Sequence, residues 1–323
     1  MKIDAKQIFD GIKKGNIAYL SKAMTIVESN SAKNQKIALE LLDLCDKNKN
    51  KSIRIGISGM PGAGKSTFIE RLGLEYIKLG KKVAVLAIDP SSTITGGSIL
   101  GDKTRMDNLA ISDKAFIRPS PNSGSLGGVS KKTRDLITVC EAADYDYVII
   151  ETVGIGQSEV EVKSLTDLFT LLILPGGGDD LQGIKKGAVE LADLVVINKA
   201  DGENKKLAAI TKSDYQLAGR ILSTHSENFQ SNVLTCSALT GYNFNLVTEA
   251  INQFINESIK SGDFEQNRKM QNEKWLNKSI QNALYENFMA KEENKVTLNN
   301  IKSAMIDGEI SFYKALSTII NKL

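Results

Sequence analysis

Gly59-Met-Pro-Gly-Ala-Gly-Lys-Ser66 is the stretch that decides the fold. It fits G-x-x-x-x-G-K-[ST], with an apolar run at 54–58 before it and an amphipathic run at 67–78 after it. A strand, a glycine-rich turn and a helix in that order aim backbone N–H groups at a phosphate, and the helix N-terminus adds partial positive charge. Gly59, Gly62 and Gly64 let the backbone turn inward, Pro61 and Ala63 complete the loop, and Thr67 opens the helix proper. Lys65 reaches the β- and γ-phosphates as a point charge, and the Ser66 hydroxyl is placed to ligate Mg²⁺.

Further short apolar runs, bounded by Gly, Pro and Asp, lie at 83–88, 147–151, 169–174, 194–197 and 233–236. Helix-length amphipathic stretches separate most of them. The pattern predicts an α/β P-loop NTPase with a mostly parallel central sheet flanked by helices. Residues 1–50 carry apolar positions at helical spacing, such as Ile8, Ile12, Leu20 and Met24, and predict two or three packed helices. After Gly262 the chain is helical again, with an apolar stripe of Trp275, Leu276, Ile280, Leu284, Phe288 and Met289. The expected organisation is an N-terminal helical extension at 1–50, a nucleotide-binding domain at 51–260 and a C-terminal helical segment at 261–323. That last stripe suits either a core of its own or a dimerisation arm.

Asn198-Lys-Ala-Asp201 follows directly on the run at 194–197, at the carboxyl end of a predicted parallel strand. A carboxylate there accepts hydrogen bonds from the N1–H and 2-amino group of guanine, whereas adenine offers no such pair of donors. Ser237-Ala-Leu239 ends the next strand, and its backbone N–H groups are placed to read the guanine O6. The expected ligand is therefore GTP or GDP. Two carboxylates sit where Mg²⁺ or its water is usually held, Asp89 after the run at 83–88 and Glu151 at the end of 147–151. Glu151-Thr-Val-Gly154 looks like the D-x-x-G switch of GTPases with Glu for Asp, and the Gly154 amide is placed to sense the γ-phosphate. The glutamine that orients the attacking water in Ras-like enzymes is replaced by Ile155, which predicts slow intrinsic hydrolysis. Lys103, Arg105 and Arg134 are candidate charge suppliers to the phosphates.

Composition removes other classes. The 323 residues carry 41 Lys+Arg against 38 Asp+Glu, a formal charge of +3, which does not suggest a dedicated nucleic-acid binder. With one histidine, His225, and three scattered cysteines, Cys45, Cys140 and Cys236, the chain has no multi-histidine metal site, zinc knuckle or disulfide framework. The cysteines are expected to be buried, reduced thiols. No apolar stretch approaches membrane-spanning length, so no membrane association and a cytoplasmic location are expected.

The chain resembles the MeaB/ArgK family of methylmalonyl-CoA mutase-associated GTPases, within the P-loop group that also holds metallochaperone GTPases. Besides the phosphate loop and Asn198–Asp201, the resemblance rests on Ala87-Ile-Asp-Pro-Ser-Ser92, Gly96-Gly-Ser-Ile-Leu-Gly-Asp-Lys-Thr-Arg-Met106, Arg118-Pro-Ser-Pro121, Gly124-Ser-Leu-Gly-Gly128, Glu151-Thr-Val-Gly-Ile-Gly-Gln-Ser-Glu159 and Gly178-Asp-Asp-Leu-Gln-Gly-Ile-Lys-Lys-Gly187. Several of these blocks have no general GTPase meaning. The resemblance implies a homodimeric GTPase that guards an adenosylcobalamin-dependent acyl-CoA mutase, gating cofactor delivery and protecting or reactivating the mutase. It also implies that Asp102 joins Asp89 and Glu151 around Mg²⁺, that Asn198, Lys199 and Asp201 read guanine, and that the C-terminal helices form the dimer arm. Gln157, Asp179, Gln182 and Lys185 match mobile segments that relay nucleotide state to the mutase. No D-x-H-x-x-G cobalamin motif is present, so adenosylcobalamin is expected on the partner. Competing readings are an ATPase or kinase serving basic amino-acid transport, a metallochaperone, and a scaffold that GTP merely locks.

Overall fold

The strands of the central sheet are short apolar runs with no exposed position along β1 (Ile53–Gly59), β4 (Tyr147–Thr152), β5 (Leu168–Ile173) and β6 (Leu194–Ile197). Burial on both faces is what a parallel sheet sandwiched by helices requires. The computed structural model describes residues 4–29, 31–89, 106–121, 128–152, 158–176, 186–222 and 233–320. Among the described residues the sheet has seven strands in the order β3-β2-β4-β1-β5-β6-β7, with β2 at Val83–Asp89, β3 at Ala115–Pro121 and β7 at Val233–Thr235. All six pairings among the described residues are parallel, as the alternation of apolar runs and helices predicts.

β3 is a strand that the sequence pattern does not announce. Pro119 and Pro121 interrupt it and each lacks the N–H that a central strand must donate. It survives because it lies at the edge, paired only with β2, in a register that runs from Val83↔Ala115 to Asp89↔Pro121.

Period-two alternation divides the sheet side chains between two cores. Val148 and Ile150 face α1 (Ala5–Lys13), α2 (Ile17–Glu28), α3 (Ala32–Lys47) and α6 (Gly128–Ala142), together with Ile8, Met24, Leu41 and Ile137. Tyr147 and Ile149 join the opposite core with α4 (Lys65–Lys78), α5 (Asp107–Ala110) and α10 (Phe244–Ser261), through Phe68, Leu72, Leu109, Val247 and Ile251. The N-terminal helices thus complete one face of the sheet. Asn16 and Ser31 start two of them by accepting hydrogen bonds from the N–H groups of Ala18 and Asn34. The remaining helices on the sheet side are α7 (Ser158–Lys163), α8 (Lys186–Leu191) and α9 (Asn204–Leu222).

Two compact units result, the first ending at Phe264 and the second comprising Glu265–Leu323. Gly262, with φ +87, ends α10 immediately before α11 (Asp263–Ala290) begins. The second unit contains most of α11, with α12 (Glu292–Ile306) and α13 (Phe312–Ile320). Of the predicted stripe, Phe288 is buried while Leu276, Ile280 and Leu284 are exposed. No described helix is long and apolar enough to cross a membrane.

Candidate nucleotide site

β1 is flanked by β4 and β5, and the chain that leaves it goes first to one side of the sheet and later to the other. Ligands of open parallel sheets bind at such a reversal, beyond the carboxyl ends of the strands. The phosphate loop leaves β1 at that point. Gly64 takes φ +85 as the cap of α4, a left-handed geometry that favours glycine, and a Cβ built there would lie 2.7 Å from Asn198 Nδ2. Lys65 begins the helix and is buried, and its ammonium donates to the carbonyls of Gly59 at 2.9 Å and Met60 at 3.2 Å. Those contacts fold the side chain across the loop that would cradle the phosphates.

β4 lies beside β1, with Ile57 opposite Glu151. This register brings Glu151 to the first turn of α4, where Ser66 Oγ donates to Glu151 Oε1 at 3.3 Å. One residue on, Thr152 Oγ1 bonds Ser58 Oγ at 2.8 Å, a buried pair that ties the two strand ends together and that no motif signalled. Ser66 and Glu151 form a set of hard oxygen donors, the chemistry Mg²⁺ selects. Asp89 ends β2 opposite Pro121, and its side chain lies outside the described residues. Asp102, Gly154, Gln157, Asp179, Gln182 and Lys185 lie outside them too, as do Lys103, Arg105 and His225. The charges acting on Arg134 are those of Arg54, Asp135, Asp46 and Glu141, and Arg54 belongs to the start of β1, away from the phosphate loop.

β6 ends at Ile197 and delivers Asn198, whose amide is used within the protein. Nδ2 donates to the Ala63 carbonyl at 2.8 Å, and Oδ1 accepts from the Ala238 N–H at 3.0 Å and from the Cys236 thiol at 3.8 Å. One buried side chain therefore joins the phosphate loop, the end of β6 and the loop after β7. Lys199 is exposed with φ +59, and Asp201 is half-buried. The 237–242 turn closes on itself: the Ser237 N–H donates to the Tyr242 carbonyl at 2.9 Å and the Gly241 N–H to the Ser237 carbonyl at 2.8 Å. The amides of Ser237 and Ala238 are thus engaged, while the Leu239 N–H has no partner among the described residues. All three cysteines are free and buried, and burial pushes the Cys236 thiol up to about 12.

Thr211 also escaped the motif reading. Its hydroxyl accepts from the Gly176 N–H at 2.9 Å, which fixes the chain two residues after β5 gives way to Leu174. A threonine inside an amphipathic helix carries no signal of such a long-range bond.

The comparisons with known proteins bear on the same residues. The family model described as "Methylmalonyl Co-A mutase-associated GTPase MeaB" matches residues 20–293. The GTPase ArgK of Escherichia coli is 48% identical over 282 residues, covering 87% of this chain and 85% of that protein. A mouse protein named methylmalonic aciduria type A homolog, mitochondrial, is 38% identical over 324 residues, covering 97% of this chain and 78% of its own length. The crystal structure of a LAO/AO transport system kinase aligns over 98% of this chain and 96% of that one, with 36% identity and a TM-score of 0.78. With the G-x-x-x-x-G-K-S loop seated on β1, the loop after β7 tied to it by Asn198 and a family match across both, the chain belongs to the MeaB family of mutase-associated P-loop GTPases.

Proposed function

We propose that this guanine-nucleotide-binding GTPase guards an adenosylcobalamin-dependent acyl-CoA mutase of the methylmalonyl-CoA mutase type, gating delivery of the cofactor and protecting or reactivating the mutase. The family match over residues 20–293 carries this reading, and the likeness to the methylmalonic aciduria type A homolog supports it. The cofactor is held by the partner, since this chain has a single histidine and no cobalamin motif.

Within the site, the Lys65 ammonium, steadied by its two bonds to the Gly59 and Met60 carbonyls, has a third N–H to offer the β- and γ-phosphates. The amides of 59–67 cradle the remaining phosphate oxygens. Asp201 accepts from N1–H and the 2-amino group of guanine, Lys199 lies along the base, and the Ser237–Leu239 loop meets O6, with the Leu239 amide the one not already engaged. Ser66, Glu151, Asp89 and Asp102 hold Mg²⁺ and its water; the ion, when bound, neutralises charge developing on the transferred phosphoryl group. Ser66 and Glu151 in direct contact support this part of the proposal. Water attacks in line, and the Gly154 segment, with Gln157, Asp179, Gln182 and Lys185, carries the change of state to the mutase. With Ile155 where Ras-like enzymes keep glutamine, unassisted hydrolysis is slow and the mutase sets its rate.

The chain is organised as a helical extension at 1–50, a GTPase domain at 51–260 and a dimer-forming arm at 261–323, and it works in the cytoplasm as a homodimer. The test is capture from native extract with and without a non-hydrolysable GTP analogue. A cobalamin-dependent mutase should accompany the protein in a nucleotide-dependent way, and its absence from both arms would overturn the proposal.

A second reading, a kinase or ATPase serving basic amino-acid transport, is favoured only by the description of the solved relative. A carboxylate at Asp201 argues against adenine, and competition between GDP and ADP separates the two. A scaffold that GTP only locks is separated by single-turnover hydrolysis in the presence of the mutase.

A further inference from the structure

Arg71 lies on α4, the helix that starts in the phosphate loop, and no motif gives it a role. Its guanidinium carbon stands 5.7 Å from the centre of the Phe244 ring, and Phe244 in turn packs tilted on Phe68 of α4 with ring centres 5.1 Å apart. The guanidinium also presses on Gly241. A Cβ built at Gly241 would lie 2.0 Å from one terminal nitrogen of Arg71 and 2.8 Å from its central carbon.

Gly241 is the residue that closes the 237–242 turn. It takes φ +84, donates its N–H to the Ser237 carbonyl and sits next to Tyr242, whose carbonyl accepts from the Ser237 N–H. Thr240 N–H adds a bond to Ser237 Oγ at 3.1 Å. The arginine therefore occupies the space that a missing side chain leaves beneath this turn, and its charge reaches Cys236 at the end of β7. Arg71 Nε is buried and has no hydrogen-bond partner among the described residues. Packing and the attraction of a cation to an aromatic face hold the group there, a place that suits a planar guanidinium better than a compact ammonium.

We propose that Arg71 is a positioning residue for guanine recognition, a wedge that fixes the Ser237–Tyr242 turn against α4 so that base and phosphates are met at one spacing. Asn198 makes the corresponding tie from the β6 side. The inference rests on the guanine reading of Asp201 and the 237–239 loop, and the test keeps the two apart.

Binding of GDP and ADP to the full chain would be measured by calorimetry for the natural protein, Arg71→Ala and Arg71→Lys, with thermal unfolding alongside. ADP probes the phosphate and ribose contacts without the guanine-specific ones. Arg71→Ala should weaken GDP about tenfold while leaving ADP unchanged, and Arg71→Lys should retain the fold with a smaller loss of about threefold confined to GDP. Parallel weakening of GDP and ADP, or an unchanged GDP-to-ADP ratio in Arg71→Lys when the alanine variant does not fold, would overturn the role of Arg71. If the natural protein itself shows no preference for GDP, the guanine reading fails first and the inference falls with it.

Discussion

Both ends of the Asn198 amide are engaged inside the protein, so an effect of this residue on the proposed nucleotide site would pass through the loops it ties. Asn198→Asp retains an acceptor for the Ala238 N–H and loses the donor to the Ala63 carbonyl, setting a carboxylate against a carbonyl oxygen in a buried place. The cost should be about 2–4 kcal/mol of folding stability, read from urea unfolding, with GDP affinity falling alongside. Asp201 separates from it in the opposite way. It is half-buried at the end of the same loop, and Asp201→Asn replaces an acceptor that suits the guanine 2-amino group by a donor that suits the 2-oxo group of xanthine. The variant should bind xanthosine diphosphate better than GDP by about tenfold or more without loss of stability, a reversal visible in competition calorimetry. Lys65→Ala, which removes the only cation that the loop carries at its helix end, should lower single-turnover GTP hydrolysis by about a thousandfold or more.

Between elements, the start of β1 is tied to the end of α6 by a buried ion pair. Arg54 Nε and a terminal nitrogen donate to the two oxygens of Glu141 at 2.9 and 3.0 Å, and Ser52 Oγ donates to the same carboxylate at 2.9 Å. Arg54→Ala leaves Glu141 charged, buried and short of its main partner, so unfolding free energy should drop by about 3–5 kcal/mol, whereas Glu141→Gln retains part of the bonding and should lose less. α6 also carries Asp135, whose carboxyl is pushed up to about 6 by burial against the opposing fields of Lys131 and Arg134. The folded state therefore holds a proton that the unfolded chain has released, and stability falls as pH rises from the ordinary carboxylate range through about 6. Asp135→Asn should flatten that slope and raise stability at pH 7.5 by on the order of 1–2 kcal/mol, measured as urea midpoints across the range. Neither feature was legible beforehand, because a charged residue on an amphipathic helix reads the same whether its face is solvated or packed. What was legible followed from local chemistry: the glycine spacing at 59–64 announces, within a few adjacent residues, the strand, turn and helix that β1 and α4 form. β3 was not, since its prolines deny it a central place and only the sheet order reveals the edge it occupies. Arg71 and Thr211 were hidden for a third reason, their partners being distant in the chain.

At the scale of the whole molecule the two helical extensions differ in what they cover. Ile8, Ile12, Leu20, Met24 and Leu41 of α1–α3 are completely or almost completely buried, in the same core as Val148 and Ile150 of β4. Removing residues 1–50 would uncover one face of the sheet, and such a fragment should fail to give a cooperative unfolding transition. The second unit is different in kind. Leu276, Ile280, Leu284 and Tyr285 on α11 and Ile306, Phe312 and Tyr313 further on are exposed large apolar groups, between 48% and 80% accessible, more than a helical segment of this length leaves to water without a partner. A chain stopped after residue 264 retains the first compact unit complete, with the phosphate loop, Glu151, Asn198 and the 237–242 turn all inside it. That fragment should fold, bind GDP with the affinity of the full chain within about twofold, and run as a monomer in light scattering, whereas the full chain should run as a dimer if the arm has its proposed role. Dimerisation by the fragment would place the interface on the first unit and remove the arm's proposed role. A monomeric full chain would also remove that role, and the exposed groups of α11 would then be left for a different partner, such as the proposed mutase, to cover.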